Sequence, residues 1–119
     1  MNIKYKSNKV KKQCTDYKTA IKDFDSRTAE RLFATINFIK NANNLRDIAF
    51  MPSYHFHHLE GKRKKSNEYA IDIDGRKSSY RLIIIPLDEN ENKVISDGEQ
   101  TLYECTNILL IVEVSKHYE

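Results

Sequence analysis

The chain has 119 residues, 39% of them hydrophobic and 31% charged, with a formal net charge of +3. That length supplies one modest core rather than two, so a single domain over residues 1–119 is expected. No apolar run approaches the roughly 20 residues of a membrane span, and the lysine-rich start is no signal peptide; the reading excludes a membrane partner and places the protein in the cytoplasm. Charge is unevenly spread: residues 1–85 hold 18 Lys/Arg against 9 Asp/Glu, a balance of +9, whereas residues 86–119 hold 2 against 8, a balance of −6. A basic body of this kind fits either a polyanionic partner such as nucleic acid or a solvated lysine-rich surface. Cys14 and Cys105 have no CxxC or metal-ligand spacing, and in that compartment both are expected reduced and partly buried.

In chain order, Asn2–Lys6 reads as a short strand with Ile3 and Tyr5 on one face. Ser7 or Asn8 caps a helix whose apolar stripe runs Val10, Cys14, Tyr17, Ile21 and Phe24, with lysines on the other face. Asp25 and Ser26 break and recap the chain. A second stripe follows at Ala29, Leu32, Phe33, Ile36 and Ile39, ended by the asparagines at 41, 43 and 44. The short connection implies a two-helix hairpin with both stripes against one sheet.

Leu45–Tyr54 reads as irregular. His55, His57 and His58 invite a metal reading, but no cysteine lies near and no acidic residue has a persuasive ligand spacing, so no metal or other cofactor is expected. Lys62-Arg63-Lys64-Lys65 suits a solvated turn between strands, and equally a basic loop that reaches phosphates. Tyr69–Asp74 and Ser78–Ile85 form an expected antiparallel hairpin, with Asp74-Gly75 as the turn signal and Arg76 and Lys77 in the loop. Arg81 interrupts an otherwise apolar, β-branched strand. A guanidinium there is either paired with a carboxylate on a neighbouring strand or aimed at an anionic ligand. Residues 86–107 read as an acidic hairpin or loop, and Ile108–Ser115 as the last strand, delivering Lys116, His117 and Tyr118 to one end of the sheet. The sum is α+β: an N-terminal strand and a two-helix hairpin packed on a mostly antiparallel sheet of about four strands.

Four local stretches carry a resemblance. Pro52 to Arg63 is similar to the HigB-like segment in which a proline precedes leucine-histidine-x-leucine-x-glycine and a basic turn, with His57, Leu59 and Gly61 on its marked positions. Tyr69-Ala70-Ile71 and Ser79-Tyr80-Arg81-Leu82-Ile83 resemble successive strands of the RelE/ParE toxin superfamily, the second being its aromatic-arginine-aliphatic strand. Val114-Ser115-Lys116-His117 ends where members of that superfamily carry their terminal functional residue. The pattern departs at Asp72, Ser115 and Lys116, and in the long acidic segment.

The resemblance implies a RelE-like fold and the toxin of a type II toxin–antitoxin pair, a ribosome-dependent mRNA endoribonuclease that uses the RNA 2′-OH as nucleophile and needs no cofactor. It implies Arg81, His117, Tyr118 and Arg76 as the catalytic set, and His57, Lys62, Arg63, Lys64, Lys65, Lys77 and Lys116 as the RNA- and ribosome-binding set. Its partners would be ribosome, mRNA and a HigA-like helix-turn-helix antitoxin, with operator DNA bound only through the toxin–antitoxin complex. The acidic segment is expected on the edge away from the site, solvated or against the antitoxin. A ParE-like gyrase inhibitor on the same fold and a non-catalytic nucleic-acid-binding module remain as alternatives.

Overall fold

The computed structural model describes residues 1–75, 79–95 and 98–116, apart from the side chains of Lys64 and Lys65. The elements run β1 (Asn2–Tyr5), α1 (Asn8–Thr15), α2 (Tyr17–Asp23), α3 (Ser26–Asn41), α4 (Leu45–Ala49), a 3₁₀ turn at Pro52–Tyr54, β2 (His57–His58), α5 (Lys62–Lys65), β3 (Tyr69–Asp72), β4 (Tyr80–Leu87), α6 (Glu99–Cys105) and β5 (Ile108–Lys116). The strands make one five-stranded sheet in the order β1-β5-β4-β3-β2. β1 lies parallel to β5, and every other neighbour is antiparallel. The architecture is thus α+β with a mixed sheet, one strand larger than expected because His57–His58 adds to the edge of β3.

Side-chain alternation decides the layers. Tyr69 and Ile71 of β3, Leu82 and Ile84 of β4, and Leu109 and Ile111 of β5 face the helices. There they join Val10 and Cys14 of α1, Leu32, Ile36 and Ile39 of α3, and Leu45 and Ile48 of α4 in one core. Burial pushes the Cys14 thiol up to about 12, so this cysteine is a core residue and not a nucleophile. Cys105, at the end of α6, is free and exposed rather than partly buried.

The expected first helix is two. The chain breaks at Asp16, whose extended backbone ends α1, and whose carboxylate accepts a hydrogen bond from Thr19 Oγ1 at 2.5 Å. Aspartate competes with the helix through such local bonds. The break turns α2 so that Ala20 is buried, while Tyr17 and Ile21, expected in the core, stay 43% and 38% exposed. Gln13 Nε2 donates to Asp23 Oδ2 at 2.9 Å and ties the two short helices together.

Leu45–Tyr54, read as irregular, is instead the single turn α4 followed by the 3₁₀ turn. Asn44 Oδ1 accepts from Asp47 N–H while Asp47 Oδ2 accepts from Asn43 N–H, a reciprocal capping arrangement that seats Leu45 and Ile48 in the core.

The acidic segment departs most from expectation. β4 runs on through Pro86 to Leu87, past the end of β3 at Tyr69↔Ile84. Proline is tolerated there because its missing N–H faces the side where β3 has stopped. Pro86 O on that side accepts from Val94 N–H, and Asn67 Nδ2 donates to Val94 O at 2.6 Å. Asp88 Oδ1 closes the intervening turn by accepting from Asn90 and Asn92 N–H. α6 then packs on α4, with Leu102 and Val94 inside the main core. The segment is a structural element, not a loop, and residues 96 and 97 lie outside the described residues.

Two stability predictions follow from this packing. Leu102→Ala should destabilise the protein by about 2–4 kcal/mol in urea unfolding, whereas a solvated loop would tolerate it within ~0.5 kcal/mol. Asp25 caps α3, and the Thr28 N–H and hydroxyl bonds hold its carboxyl below the ordinary value of 3.8. A lowered folded-state pKa means the stabilisation is present above the unfolded value and lost as pH falls through the folded one. The stability gap between wild type and Asp25→Ala should therefore be full at neutral pH and close below pH 3.8.

Candidate functional site

The sheet face away from the helices carries two small apolar clusters: Leu59, Ala70 and Ile83, then Ile85, Leu87 and Ile108. Beyond them, at the end of the sheet where β4 begins, the apolar surface stops and Arg81 takes the next position. Arg81 stands directly across from Asp72 on β3 and from Ser115 on β5. It is half-buried, and its Nε is buried with no hydrogen-bond partner.

The ion pairs among the described residues are Lys4–Glu91, Arg27–Asp74, Arg31–Asp74, Arg63–Glu68 and Arg63–Glu113; Arg81 is in none of them. Asp72, the carboxylate best placed to pair with it, makes contacts of its own but no ion pair with Arg81. Of the two readings of an arginine in this strand, the cross-strand ion pair is absent among the described residues. An unmet charged donor costs on the order of 1–3 kcal/mol or more, and a ligand anion would recover it.

Around the corner, on the helix side of the same sheet end, Lys116 lies over the Tyr80 ring with Nζ 5.8 Å from its centroid. Tyr80 packs edge-on against Phe24 at 5.1 Å. These residues line a cleft of about 560 Å³ with Arg27, Asp74 and Ser79. Arg27 Nε and Arg31 Nε approach Asp74 at 2.7 and 3.3 Å, and Asp25 also lines the cleft, so its cations Arg27 and Lys116 are matched there by two carboxylates. The end of the sheet thus gathers cations on both faces.

The other expected residues divide. Arg63 is redirected: it pairs with Glu68 at 2.6 Å and with Glu113 on β5. Glu68 is nearly buried, and its charge demands a partner there, so Arg63 holds α5 against the sheet and is not free for a phosphate. Lys62 is exposed on α5; the side chains of Lys64 and Lys65 lie outside the described residues. What sequence reasoning missed is that Glu68 and Glu113, 45 residues apart, converge on one arginine.

His57 sits on the edge strand β2, opposite Ala70, with Nδ1 2.7 Å from His55 O, a contact that fits an Nδ1–H donor. His58 points to the other face and stacks on Tyr69 at 4.3 Å, as does Phe56 at 5.0 Å. His55 adopts a left-handed backbone (φ 42°) that turns the chain into this strand. Alternation sends His58 to the face opposite His57, while the His55 and His57 rings lie 4.6 Å apart; among the described residues no three His, Cys, Asp or Glu side chains converge as a metal site. Arg76, Lys77, His117 and Tyr118 lie outside the described residues. In chain terms, 117 follows Lys116 directly, and Lys116 is paired with Tyr80, next to Arg81.

No helix among the described residues is long and apolar enough to cross a membrane. No family model, curated protein or solved structure matches the chain.

Because its charge is already spent on two carboxylates, Arg63→Met should lower stability by about 1–2 kcal/mol in urea and leave RNA affinity unchanged. Measured by filter binding, a loss of RNA affinity at unchanged stability would return Arg63 to the binding set.

Proposed function

We propose that this chain is the toxin of a type II toxin–antitoxin pair, a HigB-like member of the RelE/ParE superfamily that cleaves mRNA on the ribosome in the cytoplasm and is held by a HigA-like antitoxin. The observation that carries the reading is Arg81. It is a guanidinium at the start of the central strand β4, with a buried unmet Nε and no carboxylate partner among the described residues, and Lys116 lies at the same end of the sheet. The order of strand, helices and antiparallel strands agrees with the expectation from sequence. The α6 part of the acidic segment packs on α4 on the helix side, while Arg81 faces the other way.

RNA carries its own nucleophile, so the protein must supply charge and proton transfer rather than an attacking group. The 2′-OH loses its proton to a base and attacks the adjacent phosphorus. The bond to the 5′-oxygen breaks, and an acid protonates that leaving oxygen, giving a 2′,3′-cyclic phosphate and a 5′-hydroxyl. Arg81 is assigned to the non-bridging oxygens, where its planar fork meets the charge that grows on the phosphorane. His117 and Tyr118 are assigned to proton transfer, His117 because its ordinary pKa near 6.5 allows it to exchange a proton at neutral pH. Arg76, Lys77, Lys62 and Lys116 are assigned to the RNA backbone.

Inducing the wild-type gene should arrest growth and produce transcripts cut within translated reading frames, with naked RNA cut poorly. Arg81→Ala should lose cleavage by on the order of 10²–10³ while remaining folded, and Arg81→Lys should restore only part of it. Full toxicity in a folded Arg81→Ala protein removes Arg81 from the chemistry. Intact mRNA alongside double-strand DNA breaks would select the gyrase-directed reading instead.

A further inference from the structure

The strongest feature outside that site is the outer edge of β1. β1 is an end strand of the sheet, paired only with β5. Lys6 N–H donates to Ile111 O at 2.9 Å, so the alternation of a strand directs the backbone N–H and C=O of Ile3 and Tyr5 outward. Among the described residues, neither makes a backbone hydrogen bond outward from these groups. A cleft of about 980 Å³ runs along this edge, bordered by Met1–Asn8 and by Lys11 and Thr15 of α1 and Lys40 of α3. The strand is held in place before any partner arrives: the Met1 amino group donates to the carbonyls of Ile39, Lys40 and Ala42, and Ser7 caps α1 at the other end.

We propose that this edge is a docking site for an extended acidic segment of a partner protein, which adds as a sixth strand beside β1. The occupant follows from two constraints. An edge with outward N–H and C=O groups in alternation is complementary to another peptide backbone, whereas a nucleic acid brings no matching ladder. Lys4, Lys6, Lys11 and Lys40 surround the cleft, so the incoming strand must carry carboxylates. The same lysines oppose edge-to-edge pairing with a second copy of this chain, which would bring its own lysines to the contact. The chain's own Glu91 already pairs with Lys4, and both side chains are about half exposed (48% and 53%), so a partner carboxylate can replace it. The site is independent of Arg81 and of the RNA reading.

The test uses the full chain and a short synthetic peptide of alternating valine and glutamate at millimolar concentration, followed by amide NMR and hydrogen exchange. The Ile3 and Tyr5 amides should gain protection of about ten-fold or more when the peptide is bound. The triple variant Lys6→Glu/Lys11→Glu/Lys40→Glu, all exposed positions, should weaken binding by on the order of ten-fold. A control peptide of the same composition with proline at alternate positions should leave the Ile3 and Tyr5 amides unprotected. Binding of the control as tightly as the strand peptide, absence of protection at Ile3 and Tyr5, or a self-associating protein that buries β1 without peptide would each overturn the proposal. Failure of RNA cleavage has no bearing on these readouts.

Discussion

Everything in this protein depends on α1, α3 and α4 covering one face of the sheet. Leu32, Ile36 and Ile39 of α3, with Val10 and Cys14 of α1, are buried against Ile71, Leu82, Ile84, Leu109 and Ile111. Fully burying a side chain of this kind contributes about 1.5–3 kcal/mol, and no other layer in the molecule gathers so many. The other face has only small apolar clusters, and past them it presents Arg81. A guanidinium is tolerated there only because of that asymmetry: Leu82, one position on and facing the helices, is completely buried.

Electrostatics then divides the surface. Three of the arginines are committed to carboxylates: Arg27 and Arg31 to Asp74, and Arg63 to Glu68 and Glu113. Arg81 is not, although Asp72 lies across the strand. The acidic segment, which by sequence alone looked like a counterweight to the basic body, sends its apolar residues Val94 and Leu102 into the core and ties Glu91 back to Lys4. Its charge is thereby kept on the helix side and on the β1 edge, away from Arg81.

Much of this was legible in the sequence because it follows local periodicity. The alternation in β4, the α3 stripe with its Asp25 cap, and the β3–β4 hairpin all announce themselves within a few residues. What escaped depended on long-range partners or on a single local competitor. Asp16 breaks a stripe that otherwise reads as continuous, and Pro86 looks like a strand end until β3 is known to stop short of it. The capping pair Asn44 and Asp47 was a readable signal for α4 and was passed over. The fate of Arg63 was not readable, since nothing near it in sequence indicates Glu113. The arginine that stands out in sequence, Arg81, also stands out in the structure: although Asp72 lies across the strand, Arg81 makes no ion pair among the described residues.

The central claim is that the Arg81 guanidinium, in no ion pair among the described residues, takes a phosphate as its partner. Nitrogen-resolved NMR of the arginine side chains during titration with a short single-stranded RNA tests this directly. The account predicts that the Arg81 guanidinium resonances shift as RNA is added, while the Arg63 signals, already fixed by Glu68 and Glu113, do not move. Arg81 resonances that stay still while RNA binds elsewhere would contradict it.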